Sequence, residues 1–461
     1  MSERQRANHS VQPLLRGAPE AKPQGSAGGE AAGASMSAEV VACRVLIVGQ
    51  GYVGLPVSVR AVEVGHDVVG FDLDTARVER LAAGSSFVED IGSDTLRRAL
   101  ATNRLCITAD FADIVRFDVA VITVPTPLRE SSPDLSFIEA AARQIAPLIT
   151  PGSTVILEST TYPGTTRELV QPILEHGSGL RAGTDFFLGY SPERIDPGNR
   201  TWTFVTTPKV VSGINDASLA AVSGFYSSMV ERVVPVSGCE EAELTKLLEN
   251  TFRHVNVALV NELAQFASAL GVDVWETIDA ASTKPFGYMR FTPGPGVGGH
   301  CLPIDPSYLS WRVQQALGKP FRFVHLANDV NDHMPDYVVG RITSLLNEKR
   351  LAVNGARVLL LGLAYKKNSG DARESPAVTV ARLLLGLGAE VRAVDPHVLD
   401  CPRGLERVPM VVLDVDELEA ADLVVVLTDH DQFDFELVRA HASSVFDTRN
   451  RLEQAKHVTR L

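Results

Sequence analysis

Residues 44–72 read RVLIVGQGYVGLPVSVRAVEVGHDVVGFD. A short β-branched run is followed by a glycine turn, a stretch with helical spacing, a Gly-His turn and a second apolar run. Near-continuous apolar strands separated by helices predict a parallel sheet covered on both faces. Gly49, Gly51 and Gly54 form G-x-G-x-x-G between strand and helix, with Tyr52 and Val53 completing the turn. The first glycine permits the tight turn, the second lets the backbone approach a ligand, and the third lets the helix pack closely. The helix N-terminus then offers free N–H groups and a positive dipole end to a pyrophosphate. Asp72 closes the second strand, where a carboxylate accepts hydrogen bonds from ribose hydroxyls and repels a 2′-phosphate. The fingerprint predicts NAD in preference to NADP. Arg77 pulls the other way, but Asp72 is nearer.

The same plan returns at residues 357–395, RVLLLGLAYKKNSGDARESPAVTVARLLLGLGAEVRAVD, with a longer first loop. Each copy has a later partner strand, Phe117–Pro127 and Ala421–Asp431. We therefore expect two doubly wound, Rossmann-like α/β domains. Between them, Leu244, Leu247, Leu248, Phe252, Val255, Leu259, Leu263 and Phe266 recur at helical spacing across Glu240–Leu270. Such a helix bridges domains or packs against a partner subunit. The expected divisions are a tail over 1–40, a dinucleotide-binding domain over 41–236, a helical middle domain over 237–335 and a second Rossmann-like domain over 336–461. The tail is rich in Ala, Gly, Ser, Pro and Gln, has no apolar periodicity, and is expected to be disordered. Met36 stands just before the first strand as an alternative start.

With 461 residues the chain is too long for one core. Its net charge of -13 argues against nucleic-acid or acidic-membrane partners, which need surplus Lys and Arg. No apolar run approaches the ~18 residues of a membrane span. The cysteines Cys43, Cys106, Cys239, Cys301 and Cys401 form no CxxC pair. Neither zinc nor a disulfide scaffold is expected, and a reduced cytoplasmic compartment fits. Cys43 and Cys106 fall in apparent strands and read as buried structural thiols.

Candidate chemistry gathers elsewhere. PGPGVGGHCLPIDP, residues 293–306, places Cys301 after a glycine run, beside His300 and before Asp305. Glycines allow close backbone approach and present N–H donors to an oxyanion, and such surroundings can lower a thiol pKa. His300 reads as a hydrogen-bonding loop residue. Lys246 and Asn250 are four apart and share one helix face, as a solvated pair or as site residues. Glu193 and Arg194 lie in an irregular loop that could equally be a surface connection. Lys366, Lys367 and Arg373 replace the fingerprint glycines of the second copy, which suggests an anionic ligand held by charge, or else a solvated basic loop.

From about Cys43 to Arg449 the sequence resembles the UDP-glucose/GDP-mannose dehydrogenase family. The resemblance is carried by GQGYVGLP, TVPTP, ESTTYPGTT, SPERIDPGN, KLLENTFRHVNVALVNE, PGPGVGGHCLPIDP and GLAYKKNSGDARESP, in that order. GGHC-x-P-x-DP and STKPFGY look like the branch acting on UDP-N-acetylated hexosamines, and depart from the GGSC pattern of the UDP-glucose branch. The resemblance implies a four-electron oxidation of a UDP-sugar at C6, with UDP-N-acetylglucosamine expected first and UDP-N-acetylmannosamine or UDP-glucose as alternatives. It implies Cys301 as nucleophile, Glu193 as a base acting through water, and Asp305 orienting that water. Lys246 and Asn250 would hold the developing alkoxide or oxyanion, and Thr126 a water near the nicotinamide. Lys366 would contact the sugar or its diphosphate, Arg194 the substrate, and Arg373 the cofactor side of the domain junction. It also implies a dimer built on the long helix. A two-electron hydroxyacid dehydrogenase would need neither Cys301 nor the second copy. A non-catalytic NAD-binding scaffold would not need the set Lys246, Asn250, Cys301 and Asp305.

Overall fold

The six strands Arg44–Val48 (β1), Asp67–Phe71 (β2), Leu105–Thr108 (β3), Val119–Ile122 (β4), Thr154–Leu157 (β5) and Phe187–Tyr190 (β6) form one sheet. Their order is β3-β2-β1-β4-β5-β6, and every pairing is parallel. This is the doubly wound dinucleotide-binding order, in which the strand order reverses between β1 and β4. The computed structural model describes residues 42–88, 90–129, 132–195, 199, 201–299, 304–398 and 401–461. The tail, His300 and Cys301 lie outside the described residues. Residues from Val40 onward form one compact unit.

A second all-parallel sheet is built from Arg357–Leu361 (β7), Glu390–Val394 (β8), Leu423–Val426 (β9), Val445–Asp447 (β10) and Val458–Arg460 (β11), in the order β8-β7-β9-β10-β11. This is the other common doubly wound order, with its switch point between β7 and β9. The two doubly wound sheets expected from the repeated pattern are present. Each has apolar clusters on both faces.

The duplication reaches individual atoms. The Gly49 N–H donates to the Phe71 carbonyl, and the Gly362 N–H to that of Val394, both at 2.8 Å. The next residue of each copy donates its N–H to a carboxylate, Gln50 to Asp72 and Leu363 to Asp395, both at 2.7 Å. Gly49 and Gly362 have φ of 99° and 88°. A Cβ on either would meet the backbone of Thr123 or Thr428 at 2.8 or 2.5 Å, so both turns require glycine.

Between the sheets runs the 32-residue helix Cys239–Leu270, here the central helix. At 1.5 Å per residue it spans about 48 Å. Glu240 and Glu241 favour its N-terminus, and Gly271 ends it in the left-handed conformation. The helices Asp305–Leu317 and Arg322–Asp332 pack against it. Its buried face carries small and polar side chains, among them Ala242, Glu243, Thr251, His254 and Asn261. Of the apolar residues that mark it as a helix, Leu247 is buried, whereas Leu244, Leu248, Phe252, Leu259, Leu263 and Phe266 are exposed. No helix among the described residues is long and apolar enough to cross a membrane.

The thiols need one correction. Cys106 points outward from β3 and is exposed, and Cys43 is only half-buried. Strand membership does not fix which face a residue takes, and Cys106 falls on the outer one. Among the described cysteines, Cys239, at the start of the central helix, is the buried thiol, and burial pushes it up to about 12.

Candidate active site

The loops at the switch point of the first sheet enclose a cleft of about 520 Å³. A Cβ at Gly54 would stand 1.8 Å from the Gly49 carbonyl oxygen, so helix-on-turn packing demands glycine there. At Gly51 no protein atom lies within 4 Å of such a Cβ. The protein's own packing does not require that glycine, whereas a pyrophosphate lying close to the backbone would. The helix Gly54–Glu63 has no side-chain cap at its N-terminus, which suits an anion. These features fit NAD.

Asp72 is buried at the end of β2 and lines the cleft with Tyr52, Val53 and Arg77. Its carboxylate accepts from the N–H groups of Gln50 and Asp74 at 2.7 and 3.0 Å. Arg77 Nη1 donates to Asp72 Oδ2 at 2.8 Å, and its guanidinium lies over the Phe87 ring. The two residues expected to oppose each other in cofactor choice are thus an ion pair. Tyr365, Ser369, Asp371 and Arg373, from the loop after β7, line the same cleft. Arg373 lies 5.7 Å from the centre of the Tyr52 ring and is paired with both Asp371 oxygens. Lys367 pairs with Asp431 and Asp429 at 2.7 and 3.7 Å. Lys367 and Arg373 are therefore neutralised within the protein. Lys366 is half-buried and does not line the cleft.

Of the candidate catalytic groups, Glu193 and Thr126 line the cleft, and the other described ones adjoin them. Lys246 Nζ donates to the backbone carbonyl of Glu193 at 2.6 Å, and Asn250 Nδ2 donates to Asp305 Oδ2. Asp305 opens the helix Asp305–Leu317, and Tyr308 on that helix donates to the Thr126 carbonyl at 2.6 Å. The central helix, the helix Asp305–Leu317 and the β4 loop are thereby tied together. Burial pushes the Asp305 carboxyl up to about 6, against the opposing pull of Lys246 and Asn250. Glu193 is also raised, first by burial, while the N–H groups of Ile195 and Arg194 and the charge of Lys246 pull it back. Glu193 Oε1 accepts those two N–H groups at 2.5 and 2.6 Å.

Arg194 turns away. Its guanidinium holds Glu249 through two hydrogen bonds and donates to the Pro208 carbonyl. The glycine run before Cys301 is pinned on two sides. Gly294 N–H donates to Asn261 Oδ1 at 2.9 Å and Gly299 N–H to the Arg373 carbonyl at 3.1 Å. A Cβ at Gly299 would lie 2.7 Å from the Tyr365 ring, so this glycine also serves the packing of the second-sheet loop.

Sequence reasoning missed a buried polar cluster. Lys209, on the short strand Lys209–Val211, contacts Glu158 and Glu193, and Tyr226 donates to Glu158 at 3.1 Å. Glu158 and Glu193 both line the cleft. The available signals were a lone lysine beside an apolar pair in PKVV and a glutamate ending the apolar run TVILE.

Comparison with known proteins fits this geometry. Residues 43–230 match the NAD binding domain of the UDP-glucose/GDP-mannose dehydrogenase family, 240–333 its central domain and 359–454 its UDP binding domain. The chain is 38% identical to a UDP-N-acetyl-D-glucosamine 6-dehydrogenase of Pseudomonas aeruginosa, over 77% of this chain and 83% of that protein. It is 35% identical to a UDP-N-acetyl-D-mannosamine dehydrogenase of Pyrococcus horikoshii, over 85% and 90%. The solved structure of the Pyrococcus horikoshii UDP-D-ManNAc dehydrogenase superposes with a TM-score of 0.81 at 32% identity, covering 90% of this chain and 98% of that one.

Proposed function

The chain belongs to the UDP-glucose/GDP-mannose dehydrogenase family, and from that membership we propose that it oxidises the C6 hydroxymethyl of a UDP-N-acetylhexosamine, first of all UDP-N-acetylglucosamine, to the carboxylate. It is an NAD-dependent nucleotide-sugar dehydrogenase. The observation that supports this reading is the pairing of Lys246 with Glu193, which lines the cofactor cleft, and of Asn250 with Asp305.

When bound, NAD supplies the hydride acceptor, and two are consumed per sugar. The C6 hydroxyl gives its proton to water held by Glu193 and loses its first hydride to become the aldehyde, while Lys246 and Asn250 hold the sugar oxygen, first as alkoxide and later as oxyanion. The Cys301 thiolate adds to the C6 aldehyde, and the tetrahedral adduct gives up the second hydride to leave a thioester. Glu193 takes a proton from a water oriented by Asp305. That water attacks the thioester, the thiolate departs, and the carboxylate forms. Thr126, held through its carbonyl by Tyr308, positions water near the nicotinamide end. Arg373 closes the cofactor side, and Lys366 takes the sugar diphosphate. Arg194 acts on substrate indirectly, by bracing the Glu193 loop against Glu249.

The exposed apolar stripe of the central helix supports a homodimer built on that helix. The division into segments 1–40, 41–236, 237–335 and 336–461 belongs to the same reading, as does a cytoplasmic location. The Pyrococcus horikoshii relative favours a second reading, with UDP-N-acetylmannosamine as substrate. Steady-state assay of both N-acetylated sugars and UDP-glucose decides. The highest kcat/KM is expected on UDP-N-acetylglucosamine. A higher value on UDP-N-acetylmannosamine selects the second reading, and a higher value on UDP-glucose overturns both.

A further inference from the structure

Lys209 is a buried cation to which the mechanism above gives no task. It is 3% exposed, and its Nζ contacts the Glu158 carboxylate and lies 3.1 Å from Glu193 Oε2. The rings of Phe204 and Tyr226 stand 5.4 and 5.1 Å from it. Burial, and after it the charge of Lys246, pulls the Lys209 ammonium well below its ordinary range, so its charge depends on the carboxylates and ring faces that replace its water. An apolar side chain at the same place on a short strand would incur no such cost. The groups facing Glu193 come from several elements. Lys246, on the central helix, donates one N–H to the Glu193 backbone carbonyl, and its charge also favours the ionised Glu193. Arg194, the next residue, spends its guanidinium on Glu249 and Pro208. Glu158 ends β5, and Tyr226 reaches Glu158 from the helix Asp216–Ser227. Lys209 is the described cation recorded in contact with the Glu193 carboxylate itself.

We propose that Lys209 is a positioning residue for Glu193, fixing its second carboxylate oxygen and keeping it ionised, while Glu158 sets how much of the ammonium's charge Glu193 receives. Two backbone N–H groups occupy Oε1, Lys209 fixes Oε2, and Oε2 keeps a lone pair for water. The proposal rests on Glu193 being the base.

The test is the pH dependence of kcat in the full chain, with NAD and the UDP-sugar it turns over best. The variants are Lys209→Met, Lys209→Arg, Glu158→Gln and Glu193→Gln, and the limb followed is the acidic one that Glu193→Gln abolishes. Lys209→Met should move it up by ~1 pH unit or more, since an opposite charge is lost from a carboxylate. Lys209→Arg should leave it near its wild-type place. Glu158→Gln should move it down, because the ammonium then serves Glu193 alone. A packing defect lowers kcat at every pH without moving the limb in opposite directions. If Lys209→Met does not fold, Lys209→Gln carries the same test. Limbs that stay put, or move the same way, in Lys209→Met and Glu158→Gln would overturn the role of Lys209 and leave Glu193 as base. A wild-type rate and profile in Glu193→Gln would instead remove Glu193 as base.

Discussion

Asp72 is held by two backbone N–H groups and by Arg77. A carboxylate so fixed presents its charge at the ribose without reorganising. Asp72→Asn should shrink the preference for NAD over NADP, measured as the ratio of kcat/KM, by roughly tenfold, about 1.4 kcal/mol. An unchanged ratio would mean that Asp72 does not meet the ribose. The thiol can be tested apart from the first oxidation. Cys301→Ser should retain part of the alcohol-to-aldehyde step and lose the second by orders of magnitude, because a serine hydroxyl is scarcely ionised. Asp305→Asn should accumulate an acyl adduct on Cys301, visible as added mass on intact protein. Full turnover in Cys301→Ser would contradict the covalent step. The fingerprint glycines were legible in the sequence because a turn and a close approach are local demands. Lys209 was not, because its partners Glu158 and Glu193 stand 51 and 16 residues away.

The central helix carries two elements of the account on opposite faces. Inward, Glu243 is fully buried and accepts from the N–H groups of Gly164 and Thr166 and from the Thr166 hydroxyl. Burial, only partly offset by these donors, pushes its carboxyl from 4.5 up to about 7. Between those values the folded chain holds a proton that the unfolded chain has released. Its contribution to stability is thus fully present below pH 4.5 and lost as pH rises through about 7. Unfolding free energy compared with Glu243→Gln should shift against the wild type by up to ~3 kcal/mol across that window. A pH-independent difference would contradict the assignment. Outward, Leu248 and Leu259 are about three-fifths exposed. Replacing both with Lys should convert the proposed dimer to monomer in light scattering while NAD binding persists. An unchanged mass would place the interface elsewhere. Periodicity made the helix legible but not its orientation, since spacing cannot tell a core from a missing partner. Here the large apolar side chains face out and small and polar ones face in.

At the scale of the molecule, two doubly wound sheets were legible because the strand–turn–helix–strand pattern occurs twice. The second copy keeps the turn, with Gly362 against Thr428, but its acid is already taken. Asp395 Oδ2 accepts from Leu363 and Ala364 N–H and from His430 Nε2. That occupation was not legible, because His430 arrives from a distant loop. A chain beginning at Met36 should bind NAD and turn over as the full chain does, with stability changed by less than about 1 kcal/mol. A larger loss would show that residues 1–35 support the enzyme. In the proposed mechanism one site carries out both oxidations through Cys301. Its most direct measurement is the NADH formed per UDP-N-acetylhexosamine consumed to completion, with the sugar product identified by mass. The expected result is two NADH and the C6 carboxylate, while one NADH with free aldehyde as product would contradict it.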